Sequence, residues 1–179
     1  MDQLQMGTGM AHVELRLDPE RGAVLMELTA RGGGDAIPTL WELAMGVSLE
    51  KVLIDAIVTD ATPASPVASI RRWTGQRFLA QRAGHLKAVH CDVEGLTPHW
   101  WGSTLIRRPV EPVALDAPAA VHETMIDVEP GAYLDDVRSS NDRVGSIIAH
   151  APSETELHGM FELCQQAIRL EIEATPESA

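Results

Sequence analysis

A β-hairpin close to the N-terminus constrains this chain more than any other stretch of it. Residues 11–18 (AHVELRLD) and 23–30 (AVLMELTA) both alternate, the period of a strand with one buried face. Pro19-Glu20-Arg21-Gly22 between them is turn chemistry: the proline presets φ early in the turn and the glycine supplies a positive φ at its end. Pairing Asp18 with Ala23 sets Leu17 opposite Val24, Leu15 opposite Met26 and Val13 opposite Leu28. That face is wholly apolar, as a half-buried antiparallel sheet requires. The same register predicts Glu14 opposite Glu27, and His12 opposite Thr29, on the other face. Carboxylates directly opposed across strands, with Cβ atoms about 5 Å apart, repel one another. A hard divalent cation reverses that balance, since Mg²⁺ favours one or two carboxylates together with the phosphate oxygens of a substrate. The plainer reading is a solvated polar face with two glutamates in chance opposition, and the hairpin alone does not choose between them.

The rest of the chain divides by pattern. Thr39-Leu40-Trp41-Glu42 reads as a capping box opening a short helix that Gly46 ends. Ser48 caps a second helix whose Leu49, Val52, Leu53, Ala56 and Ile57 recur at helical spacing and are expected in the core. The Pro/Ala/Ser-rich stretch Thr59–Pro66 is the expected boundary, dividing the chain into 1–60 and 61–179. The second part reads as β-rich, with strands expected at 67–73, 76–81, 86–93, 104–110, 121–128 and 143–150. Turns are expected at Ala83-Gly84, Glu94-Gly95, Pro130-Gly131 and Asn141-Asp142. Ser153 with Glu156 forms a further capping box, and the helix beyond it carries Leu157, Phe161, Cys164, Ile168 and Ile172 on one stripe. The predicted fold class is therefore α+β: an antiparallel hairpin with two short helices, then a β-rich lobe and a terminal helix.

Composition removes several function classes. With 26 acidic against 14 basic residues the formal charge is −12, which repels nucleic acid and anionic membranes alike. Two cysteines, Cys91 and Cys164, make no disulfide framework and suit a reducing compartment. Residues 1–10 carry no secretory signal and no apolar run reaches membrane-spanning length, so a cytoplasmic location is expected. His85, His90, Cys91 and His99 match no closed zinc spacing. Neither cysteine sits in a CxxC pair, and there is no P-loop, HExxH or GxSxG. Gly7-x-Gly9 lacks a third glycine. Arg71, Arg72 and Arg77 can be read as a fork for a substrate carboxylate, although a solvated strand face is the expectation for long cationic side chains. Trp100-Trp101 fits either a stacking platform or core. The triple glycine 32–34 is free to adopt positive φ and to approach a ligand closely, or is simply a turn.

The run His12–Pro38 (HVELRLDPERGAVLMELTARGGGDAIP) resembles the metal-binding end of an ATP-grasp ligase. That family carries one Glu on a strand, then a Glu-x-Asn-x-Arg pattern on the next. Glu14 matches the first position, Glu27 the second and Arg31 the arginine, while Thr29 stands where most members have a metal-binding Asn. Gly32–Pro38 and Asp142-Arg143-Val144-Gly145 resemble the L-amino-acid ligase branch; a biotin-carboxylase-like C-terminal lobe is the more distant likeness. The resemblance implies ATP-dependent joining of a carboxylic acid to an amine through an acyl-phosphate, with amino-acid or peptide-like substrates. It implies Mg²⁺ (or Mn²⁺) at Glu14, Glu27 and Thr29, catalysis by Arg31, and a phosphate or substrate loop at Gly32, Gly33 and Gly34, with His12 in support. It further implies that the lysines gripping ATP lie outside this chain, so that the missing N-terminal half is a candidate partner. The competing expectation is a non-catalytic remnant or partner-binding lobe. A homo-oligomer is compatible with either.

Overall fold

The computed structural model describes residues 9–59, 70–91 and 109–174, together with the backbone of 99–100. The expected linker Thr59–Pro66, the Glu94-Gly95 turn, most of the strand expected at 104–110, Gly7 and Trp101 fall wholly or largely outside those residues. The chain forms two compact units, Met1–Ser69 and Ile70–Ala179. Among the described residues the fold is α+β, with three α-helices and three small sheets, all antiparallel but for one pair of strands.

In the first unit β1 (His12–Asp18) pairs antiparallel with β2 (Gly22–Thr29). The half of the hairpin farthest from the turn has the expected register: His12↔Thr29, Val13↔Leu28 and Glu14↔Glu27. Nearer the turn the pairing differs by one residue, giving Leu15↔Leu25, Leu17↔Ala23 and Asp18↔Gly22. The turn is shorter than expected. Asp18 Oδ1 accepts from the backbone N–H of Glu20 (3.0 Å) and Arg21 (2.9 Å), and Gly22 closes the loop at φ 73°. A bulge between Glu14 and Leu15 absorbs the extra β2 residue, Met26, and keeps one face apolar. That face is not covered within the unit: Val13, Leu15, Leu17, Leu25 and Leu28 are all exposed.

Helix α1 (Ile37–Met45) starts two residues before the expected Thr39 cap. Pro38 lies in its first turn, where its missing N–H costs nothing, and Thr39 is buried inside the helix rather than capping it. Gly46 ends α1 as expected, at φ 69° with its N–H bonded to the Glu42 carbonyl at 2.7 Å. Ser48 caps α2 (Leu49–Thr59), its Oγ accepting from Lys51 N. Of the expected α2 stripe only Ala56 is fully buried, and Ile57 is exposed.

In the second unit a sheet of order β3-β8-β6-β5 is formed by β3 (Trp73–Phe78), β8 (Gly145–Ala151), β6 (Ala120–Ile126) and β5 (His99–Trp100). β5 runs parallel to β6 and the other pairs are antiparallel. β3 spans the gap between the strands expected at 67–73 and 76–81, and residues 67–69 of the first lie outside the described residues. A second sheet, β7-β4-β9, joins β7 (Tyr133–Leu134), β4 (Gly84–Cys91) and β9 (Ile168–Glu173). Helix α3 (Glu154–Ala167) begins at the expected Ser153 cap, whose Oγ accepts from Glu156 N at 3.2 Å. It buries Leu157, Phe161 and Cys164 against the core with Ile147, Ala149 and Ala151 of β8. The expected helix does not continue through Ile168 and Ile172; these lie on β9, paired with Cys91 and Leu86. The run IRLEIE alternates strictly, and its isoleucines are buried while Arg169, Glu171 and Glu173 are exposed. Gly145 is required by space, since a Cβ there would lie 2.3 Å from the Met125 carbonyl oxygen.

Candidate metal and phosphate site

The cross-strand rungs Glu14↔Glu27 and His12↔Thr29 lie next to each other on one face of the hairpin, because residues two apart on a strand share a face. Both glutamates are exposed. Glu14 Oε1 lies 3.2 Å from His12 Nε2, and Thr29 Oγ1 donates to Glu27 Oε1 at 2.6 Å. His12 is the less exposed member of its pair, its side chain 18% accessible against 55% for Glu14. Among the described residues neither glutamate is paired with a lysine or arginine. Two opposed carboxylates without a fixed cation fit a divalent ion. No group of three or more His, Cys, Asp or Glu among the described residues is arranged to hold a metal unaided, so the remaining ligands would have to come from elsewhere, such as substrate phosphate or water.

Beyond β2 the backbone doubles back. Arg31 N donates to Thr29 O at 2.9 Å, and Arg31 Nη1 to the Gly32 carbonyl at 2.8 Å. The guanidinium therefore folds over the glycine loop, where a Cβ on Gly34 would stand 3.8 Å from Nη1. Glycine is required at 33, since a Cβ there would meet the Ile37 side chain at 2.8 Å. The left-handed conformation expected of the triple glycine belongs instead to Asp35, at φ 49°. Glu42, on α1, has its carboxyl pushed up by burial and then by Glu50.

The other sequence candidates have structural partners. His85 packs edge-on against Tyr133 with ring centroids 5.1 Å apart, and His90 Nε2 reaches Glu171 at 2.9 Å. Arg77 stacks 4.8 Å from the Phe161 ring centroid and bonds Gln165, while Arg71 is exposed, so the three arginines form no fork. Arg72 is not on a solvated face either. It is 2% exposed, its Nη1 donating to the carbonyls of Ala114 and Leu115 and its Nη2 to those of Ala117 and Pro118. This clamp was invisible in sequence because its acceptors are backbone atoms more than 40 residues away. Close by in charge, His150 on β8 has its pKa lowered to about 4, by burial first and then by Arg72 and His122. In the Asp142-Arg143-Val144-Gly145 motif, Asp142 Oδ2 accepts from Arg138 N, Ser139 N and the Ser139 hydroxyl, which lowers its pKa. Arg143 covers the Phe78 ring at 3.8 Å. The motif builds the entry to β8.

Residues 112–173, from the segment held by Arg72 to the end of β9, match the family described as L-amino acid ligase C-terminal domain 2. That segment is thus similar to the C-terminal region of L-amino acid ligases. The fold of the chain is shared with parts of two solved structures. An L-amino acid ligase from Bacillus licheniformis superposes with a TM-score of 0.65 at 15% identity, over 93% of this chain and 38% of that one. A phosphoribosylglycinamide synthetase from Anaerococcus prevotii superposes with a TM-score of 0.67 at 16% identity, over 96% of this chain and 39% of that one. The chain thus spans well under half of either structure. No curated protein matches it by sequence. None of the described helices is long and apolar enough to cross a membrane.

Proposed function

We propose that this chain supplies the cation- and phosphate-facing hairpin, together with the C-terminal lobe, of an ATP-dependent carboxylate–amine ligase. Residues 1–60 would be the end of the catalytic domain and 61–179 the lobe. The observation that carries the reading is the Glu14↔Glu27 rung with Arg31 close behind it, in a chain whose fold is shared with a ligase. Glu14 and Glu27, with the Thr29 hydroxyl beside them, would hold Mg²⁺ or Mn²⁺, which when bound neutralises phosphate charge. Arg31 would leave the Gly32 carbonyl to meet the negative charge that develops as an acyl-phosphate forms and an amine attacks it; fixed positive charge there is worth several kcal/mol. Gly32–Gly34 would let backbone N–H groups approach the same oxygens. The acid and the amine would be amino-acid or peptide-like.

The lysine-bearing half of such an enzyme is the proposed partner, and the chain alone is expected neither to hold ATP tightly nor to turn it over. Isothermal titration with MgADP, on the wild type and on Glu14→Gln/Glu27→Gln, tests the reading. Weak binding that the double substitution removes supports a phosphate site on the hairpin. ATP hydrolysis by the purified chain, abolished by Glu27→Gln, would show that no partner is needed. A second reading, a lobe that binds a partner without chemistry, is favoured by Thr29 in the place of an amide ligand and by an Arg31 bonded to its own loop. Binding that is indifferent to the double substitution would select it.

A further inference from the structure

Among the described residues, each of the opposed glutamates is held at a single oxygen. His12 and Thr29 sit two residues from Glu14 and Glu27 respectively, one on each strand, and face each other as the neighbouring rung. His12 Nε2 reaches Glu14 Oε1 at 3.2 Å, and Thr29 Oγ1 reaches Glu27 Oε1 at 2.6 Å. A carboxylate accepts and does not donate, so the proton in each bond comes from the imidazole or the hydroxyl. The donors fix the rotamers of two exposed acidic side chains and draw charge from one oxygen of each. Among the described residues no hydrogen bond engages Oε2 of either glutamate, which leaves it to face a cation.

We propose that His12 and Thr29 are paired positioning residues, which orient Glu14 and Glu27 toward one divalent cation without ligating it themselves. Thr29 then acts on the cation through Glu27, a role that differs from direct ligation by an amide oxygen at this position. The Thr29 proton is committed to a short, charge-assisted bond, and a hydroxyl is a weaker ligand than a carboxylate. His12 does the same for the other strand, and its largely buried ring anchors the bond. Partners of this kind typically change metal affinity 10- to 100-fold when removed. The inference rests on the proposed role of Glu14 and Glu27, and its test separates the two.

The experiment is Mn²⁺ binding followed by electron paramagnetic resonance at constant pH, with Mn²⁺ as the only added ligand and folding of each variant checked by circular dichroism. Glu14→Gln/Glu27→Gln should abolish specific binding; if wild type and double variant bind alike, both the metal reading and this inference fall. Thr29→Val and His12→Ala should each weaken binding about 10-fold. Thr29→Ser and His12→Asn, which keep a donor, should recover it to within about threefold. If wild type binds specifically and Thr29→Val and His12→Ala leave affinity unchanged, the metal site stands and the positioning role fails. Direct ¹⁴N coupling between bound Mn²⁺ and the wild-type imidazole, lost in His12→Ala, would make His12 a ligand and overturn the proposal.

Discussion

At the scale of single residues, Arg72 shows how a buried charge is held by backbone carbonyls. Its guanidinium meets four backbone carbonyls between residues 114 and 118, and these dipoles stand in for a counter-ion. Removing one side of such an arrangement strands the other. Arg72→Met is expected to cost about 3–5 kcal/mol, read as a lower urea midpoint. Arg72→Lys should recover little, since an ammonium cannot span both carbonyl pairs as the planar fork does. A midpoint unchanged in the methionine variant would mean that the clamp contributes nothing. The glutamates were legible because strand period fixes which residues share a face. Arg72 was not, because nothing in the sequence says which arginine is buried or which carbonyls await it.

Among the elements, β8 carries the clearest pH signal. His150 is buried beside the charge of Arg72, and its pKa falls to about 4 against an ordinary value near 6.5. With the folded pKa below the unfolded one, the unfolded chain takes up the proton first. His150 therefore leaves stability untouched above about pH 6.5 and erodes it as pH falls toward 4, with no further loss below that. His150→Gln should flatten the stability profile in that window, measured by urea unfolding at a series of pH values; an identical slope in both proteins would sink the assignment. The terminal elements teach a different lesson. Leu157, Phe161, Cys164, Ile168 and Ile172 fit a helical stripe, yet the helix stops at Ala167. The competing signal was the strict alternation of IRLEIE, which outranks a stripe once β4 offers a free edge for pairing. The turn of the hairpin misled in the same way. Pro19 and Gly22 announced a turn, but the Asp18 carboxylate set its length.

For the whole molecule the telling feature is the uncovered apolar face of the hairpin. Leu15 is 57% exposed and Leu17 83%, although their alternation is that of a buried face. Replacing both with Gln is expected to lower hydrophobic-dye binding and light scattering at a cost below about 0.5 kcal/mol, the usual range for surface positions. A fall of several degrees in Tm would instead show that the face is packed in solution. The sequence by itself determined the α+β class, the hairpin and the Glu14↔Glu27 rung, α2 and the start of α3, because caps and periodicity are local and act within a few residues. Only the tertiary structure decided the position of β3, the conversion of the chain after Ala167 into β9, the burial of Arg72 and the exposure of Ile57. Those outcomes depend on which edges and carbonyls the rest of the fold presents, and residues tens of positions apart supply them.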